Sequence, residues 1–385
     1  MRPPRRLRAP VLLAATTGLV VLSLGVPGSA DATGSRTPSD AASCAPAPVG
    51  SLSVRQLANQ AITVPVQAQE VGAIAPAVRA GFGGILLFGA TAPANLGQVL
   101  AQLRRLVPSR LAPLVMTDEE GGGVVRLENL VGPLPWARTM AKTMAPAAIK
   151  ALAKRVGARL LAAGVNVDLA PVLDVDGRNV APGATDPDGY RSFGGSPSVV
   201  ITDGTAFMSG LQAAGVLPVV KHFPGLGGAT GNTDDGPAAT LPWATLKASD
   251  LHTFEAAINR GAPAIMVANA HIPGLTALPA SISPEVLRAI LRTWLGFKGL
   301  ILTDSLTAGA ISGAHLSVPK AAVLSLNGGA DMVLLGAQAN ATADMALAQQ
   351  VSNAIVGAVQ HGTLRRTTLQ SDVSYILATK ASLHC

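Results

Sequence analysis

The sequence predicts an α/β protein whose single domain closes into a (β/α)8 barrel. Two observations carry this: eight short apolar runs alternate with amphipathic stretches, and chemically useful polar residues gather where the runs stop. Composition permits it, since 385 residues at 49% hydrophobic and 13% charged can bury a large core.

The strand-like runs are AITVPV (61–66), GGILLFG (83–89), APLVMTD (112–118), VNVDLAPVLDV (165–175), VLPVVKH (216–222), PAIMVANAH (263–271), GLILTD (299–304) and ADMVLLG (330–336). Between them, stretches such as NLGQVLAQLRRL, AAIKALAKRVGARLLAAG, LKASDLHTFEAAINRG and SPEVLRAILRTWLG repeat apolar residues at steps of three and four, the period of an amphipathic helix. Ser283 before Pro284 and Glu285 reads as a helix start, with Ser as cap and Pro as first helical residue. Strict alternation implies parallel strands with right-handed crossovers, and eight units favour a closed barrel over an open doubly wound sheet. Asp118, Asp174, Lys221, His222, His271 and Asp304 then fall at or just past strand C-terminal ends, which in a barrel ring one mouth.

The chain begins with Arg2, Arg5, Arg6 and Arg8, an apolar run from about Ala9 to Val26, and a small-residue stretch ending at Ala32. That pattern predicts a signal peptide over 1–32, with cleavage favoured over an uncleaved anchor because Pro10, Gly18 and Gly25 interrupt the run. Its removal takes four Arg and one Asp, and the formal charge drops from +7 to +4, which gives no argument for nucleic acid. Residues 33–50 are rich in Pro, Ser, Thr and Ala and read as a flexible linker, leaving 51–385 as one barrel domain. The expected location is secreted or envelope-associated, with no membrane span after cleavage and a monomeric state. The two cysteines, Cys44 and Cys385, form a candidate disulfide joining the chain ends. A lipid anchor at Cys44 and two free thiols are the alternatives.

HExxH, GxSxG and a four-ligand zinc set are all missing, so neither a metal site nor a serine nucleophile is predicted. The stretch KHFPGLGGATGNTDDG (221–236) raises a phosphate-binding reading through Gly225, Gly227 and Gly231, but it leads into turn residues and two carboxylates rather than a helix. No cofactor is expected. What remains on the rim is carboxylates and histidines, a set suited to acid–base and covalent chemistry at carbon. With three Trp (Trp136, Trp243, Trp294) and two Tyr, a small pocket for a terminal group is expected rather than an aromatic groove.

The segments GGILLFG, MTDEEGGGVVRL, GVNVDLAPVLDV, YRSFG, VVKHFPGLG, MVANAHIPGL, the run from LPASISPEV to GLILTDSL, and HGTLRRTTLQSDVSYIL occur in this order from about residue 52 to 380. In them the chain resembles glycoside hydrolase family 3, specifically its short bacterial β-N-acetylhexosaminidase branch. The resemblance implies a retaining exo-β-glycosidase without cofactor, acting on a terminal sugar through a covalent glycosyl-enzyme. It implies Asp304 as nucleophile, and Asp118, Arg191, Lys221 and His222 as residues that hold the sugar hydroxyls. His271 reads equally as a sugar contact or a satisfied structural histidine, and Glu119 and Glu120 as supports or turn residues.

Two departures stand out. Where the family often has GGR, this chain has Gly121, Gly122 and Gly123. Where the short branch carries Asp-Ser-His on the loop after KHFPG, this chain has Asn232, Thr233 and Asp234. Asp234 is therefore the expected acid/base, with Asp235 in reserve and Glu119 or Glu120 as the alternative source, since a carboxyl whose pKa is raised can replace a histidine. The leading expectation is release of N-acetylglucosamine from cell-wall or chitin-derived glycosides. The alternatives are a β-glucosidase or other β-glycosidase of the same mechanism, and a catalytically weak saccharide-binding barrel.

Overall fold

The computed structural model describes residues 47–384. The expected signal peptide, residues 33–46 of the expected linker, Cys44 and Cys385 all lie outside the described residues. Regular structure begins with a single 3-10 turn at Val49–Ser51, just ahead of the expected domain start.

Eight parallel strands close a TIM-type barrel: β1 Ile62–Gln67, β2 Gly84–Phe88, β3 Leu114–Thr117, β4 Val167–Asp168, β5 Leu217–Phe223, β6 Ala264–Val267, β7 Leu300–Ser305 and β8 Met332–Leu334. Each pairs with its sequence neighbours, and β1 closes on β8 through Ile62 with Val333 and Thr63 with Leu334. Every one of the eight expected runs supplies one strand. The reason is that barrel strands face side chains inside and helices outside, so both faces must be apolar; all seven residues of β5 are buried, as are Ile62–Val66. At about 1.5–3 kcal/mol for each fully buried large apolar side chain, this shared core carries most of the stability.

The amphipathic stretches form the outer layer. In helix Pro146–Ala162 the buried residues Ile149, Ala153, Val156, Gly157 and Leu160 recur at three- and four-residue steps. Helix Glu285–Trp294, wound as a π-helix, buries Val286, Leu287, Ile290 and Leu291. Pro284 takes the cap position of this helix, and Ser283, the expected cap, lies one residue ahead, its hydroxyl accepting from the Val286 N–H at 3.4 Å. The fourth unit departs from its long apolar run: only Val167–Asp168 is strand, because Pro171 has no N–H to donate. The chain continues beside β5 through the Leu173 N–H, which donates to the Lys221 carbonyl, and then makes a long connection to Gly195.

Among the described residues no helix is long and apolar enough to cross a membrane.

Candidate active site

The strand ends deliver the functional side chains to one cavity of about 500 Å³ at the C-terminal mouth. Asp118 follows β3 directly, Lys221 and His222 lie within β5, and Asp304 lies within β7. Arg191 ends a 3-10 turn (Gly189–Arg191) on the connection after β4, and Asp234 sits on the loop after β5. All six line the cavity, together with Glu120, Phe88, Arg126 and Asn232. Two expected residues do not: Asp235 and His271 are outside its wall. His271 follows β6, and its backbone pairs with the loop after β5, its N–H donating to the Ala238 carbonyl and its carbonyl accepting from the Thr240 N–H, both at 3.0 Å.

Glu120 is the hinge of the arrangement. Its carboxylate accepts from Arg191 Nε at 2.7 Å and Nη2 at 2.8 Å, and lies 2.6 Å from Lys221 Nζ. Lys221 also donates to Asp118 at 2.6 Å. Burial opposes ionisation of Glu120, but the two cations outweigh it and hold its carboxyl below the usual range. Burial likewise opposes the charge on Lys221, while Asp118 and Glu120 restore it and raise its pKa. A buried charge persists only when paired in this way, so the wall presents fixed, ionised donors and acceptors to a polyhydroxylated ligand.

His222 is held neutral. Its Nδ1 is 2.7 Å from Asp174, which also accepts the backbone N–H groups of His222 and Leu226, and Arg191 Nη2 approaches Nε2 at 3.4 Å. Burial first, then Arg191, pushes the imidazole down to about 4. The consistent tautomer has Nδ1–H donating to Asp174 and Nε2 accepting from Arg191. Burial pushes Asp174 up to about 7 against those backbone donors.

Asp304 accepts from the Ser305 N–H at 2.7 Å, and burial followed by Asp234 raises its pKa while His222 opposes. Asp234 is exposed at the cavity mouth. Its pKa is raised by the surrounding protein and by Asp235, against the pull of Arg191. Glu119 faces away from the cavity: it is fully buried, accepts from the Leu127 N–H at 2.8 Å, and is pushed up to about 9 by burial and Asp168.

Asp174, Asp188 and His222 bring one ligand atom each within 4.8 Å of one another. The Arg191 guanidinium, 3.9 Å from Asp188 and 3.4 Å from His222, already supplies positive charge there. The set therefore fits a metal cation poorly. The glycine triplet also has a physical setting: a Cβ on Gly123 would come 2.8 Å from Trp136, and one on Gly122 would overlap the indole. The Trp136 indole thus packs directly against the glycine triplet.

Glu120 and Asp174 were undervalued in the sequence. Glu120 reads there as one of three acidic neighbours, and only its convergence with Arg191 and Lys221 in space reveals the clamp.

The model of the family described as "Glycosyl hydrolase family 3 N terminal domain" matches residues 55–378. "Beta-hexosaminidase LpqI" of Mycobacterium tuberculosis is 37% identical over 227 residues, which is 57% of this chain and 57% of that protein. This chain thus spans little more than half the length of that relative. An "Uncharacterized secreted glycosyl hydrolase" of Arthroderma benhamiae is 34% identical over 311 residues, covering 78% of this chain and 85% of the relative. Among solved structures, a beta-N-acetylhexosaminidase from Beutenbergia cavernae superposes with TM-score 0.75 at 31% identity, covering 86% of this chain and 98% of that one.

Proposed function

Because this chain belongs to glycosyl hydrolase family 3, we propose that it is an exported retaining exo-β-glycosidase that releases terminal β-linked N-acetylglucosamine from cell-wall or chitin-derived glycosides. The observation that carries this reading is the sorting of the four cavity carboxylates. Asp118 and Glu120 are tied to cations, whereas Asp304 and Asp234 form no ion pair with a cationic side chain among the described residues. Retaining hydrolysis needs one free carboxylate to attack and one carboxyl group to donate a proton.

In this reading Lys221, Arg191, His222 and Asp118 grip the hydroxyls of the terminal sugar and fix its ring over Asp304. Asp304 attacks the anomeric carbon as Asp234 protonates the departing oxygen; the glycosidic bond breaks and an ester to Asp304 forms. Asp234, now ionised, takes a proton from water, whose oxygen displaces Asp304 and regenerates both groups. The raised pKa of Asp234 suits the first half of the cycle. Glu120 cannot share this role, since its two cations keep it ionised, and Glu119 has no access to the cavity. A 500 Å³ cavity suits one sugar and a short aglycone. The hexosaminidase names of the relatives support the choice of sugar. Export is supported by the pattern of residues 1–32 and by a relative described as secreted.

Hydrolysis of 4-nitrophenyl β-glycosides differing at C2 and C4, with the first-formed anomer followed by proton NMR, tests the reading. Release of β-N-acetylglucosamine, with the glucoside cleaved far more slowly, is expected. Cleavage of none of the glycosides, or initial release of the α-anomer, would overturn it.

A further inference from the structure

The Asp234 side chain makes no hydrogen bond or ion pair with another side chain among the described residues, so its place over the cavity is set by its backbone. That backbone rests on the segment following the β7 strand. The Ala310 N–H donates to the Thr233 carbonyl and the Gly309 N–H to the Asp234 carbonyl, both at 2.9 Å. The contact is possible because residue 309 has no side chain: a Cβ there would lie 2.6 Å from the Asp235 carbonyl carbon, 2.7 Å from the Gly236 nitrogen and 2.8 Å from the Asp234 oxygen. These are backbone atoms, which cannot swing aside. Gly313, one turn on, leaves room in the same way for the Pro237 ring. Gly309 does not adopt a positive φ, so its conformation alone does not call for glycine.

The loop's other ties lie on either side of Asp234: at its far end Ala238 and Thr240 pair with the His271 backbone. Leu226 N–H donates to Asp174 at 2.8 Å and Asn232 N–H to the Ala184 carbonyl at 2.8 Å. The Asp234 N–H reaches only Asn232 Oδ1, a contact within the loop itself.

We propose that Gly309 and Ala310 are positioning residues for the acid/base: they form a seat that locks the Asp234 loop onto the segment carrying the Asp304 nucleophile, so that the two carboxyl groups keep a fixed separation. This rests on Asp234 being the acid/base. An added methyl at 309 lifts the loop and withdraws the proton donor, while the sugar grip of Lys221, Arg191 and His222 and the nucleophile stay in place. Loss of a proton donor harms poor leaving groups selectively, whereas general damage to the fold or the sugar site harms all substrates alike.

The test compares Gly309→Ala, Ala310→Pro and Asp234→Ala on N-acetylglucosaminides with a 2,4-dinitrophenyl and a 4-methoxyphenyl leaving group. Ala310→Pro deletes one of the two donated N–H groups without touching Gly309. Gly357→Ala, where an added methyl meets no atom within 4 Å, is the control. Both seat variants should lose about 10-fold or more in kcat/KM on the methoxyphenyl substrate with near-parental kcat/KM on the dinitrophenyl one, because kcat/KM reports glycosyl-enzyme formation, the step in which the leaving group needs its proton. Selectivity in Asp234→Ala but in neither seat variant overturns the seat and leaves the acid assignment standing. Equal loss of kcat/KM on both substrates in Asp234→Ala overturns the acid assignment, and the seat with it.

Discussion

At the mouth of the barrel Lys221 meets two carboxylates, whereas at the opposite end Lys380 meets neutral oxygens. Lys380 is fully buried beneath the barrel, and among the described residues its ammonium donates to Gln60 Oε1 at 2.7 Å and the Leu111 carbonyl at 3.5 Å. Burial raises no obstacle to the charge of Lys221 that Asp118 and Glu120 do not offset, but it pushes Lys380 down to about 7. Nearby, Arg292 pairs with Asp331 and stacks on Tyr375 at 4.1 Å. Ion pairing thus occurs at both ends, and Lys380 is set apart because its partners are neutral; it is tolerated at the base as a stability cost. Substitutions at the mouth should act on catalysis, and those at the base on stability.

The largest expected effect is Asp304→Ala, which should reduce kcat on the order of 10⁴-fold or more with little change in melting temperature. Steady-state kinetics beside thermal melts check both halves. Glu120→Gln breaks the separation, because this residue serves both roles. It removes the charge shared by Arg191 and Lys221 and leaves one acceptor oxygen in place of two, so the bidentate pairing is lost and Lys221 keeps Asp118 as its one anionic partner among the described residues. We expect a loss of about 10²-fold in kcat/KM from misplaced sugar contacts and roughly 3 kcal/mol in denaturant-measured stability.

Lys380→Met sharpens the other side. With the folded-state pKa pushed down to about 7 and the unfolded value near 10.4, the unfolded chain binds a proton that the folded chain refuses between those values. Wild-type stability should therefore fall as pH drops from about 10.4 to about 7 and level off below, at a cost on the order of 1–4 kcal/mol. Lys380→Met should raise the melting temperature at pH 7, raise it less at pH 9.5, and leave kcat within about twofold. A variant less stable than the parent at pH 7 would count against this account of the base. The smallest effect belongs to His271→Ala, expected to change kcat/KM by no more than about twofold, since this residue lies outside the cavity wall and its bonds to residues 238 and 240 are made by its backbone; an initial-rate comparison suffices.

The barrel was legible because parallel strands buried on both faces leave continuous apolar runs, and each of the eight runs became a strand. Helix placement followed from three- and four-residue spacing. The rim was legible to the extent that a strand end fixes a side chain: Asp118, Lys221, His222 and Asp304 lie in one cavity because each is within or directly beside its strand. His271 shows the limit, being four residues past β6, where the chain has already turned to pair with residues 238 and 240. Glu120 shows another, since a clamp joining residues 120, 191 and 221 has no local pattern. The departure at 232–234 was visible in the sequence, but the backbone seat beneath it, made by Gly309 and Ala310, requires coordinates.

Azide provides the most direct test of a carboxyl group at position 234 doing the proton transfer. With a dinitrophenyl substrate, Asp234→Ala should form the glycosyl-enzyme readily but hydrolyse it slowly, because no base activates water. Azide needs no base, so it should displace Asp304, accelerate turnover and yield the β-glycosyl azide. No acceleration, or an α-glycosyl azide, would contradict the assignment.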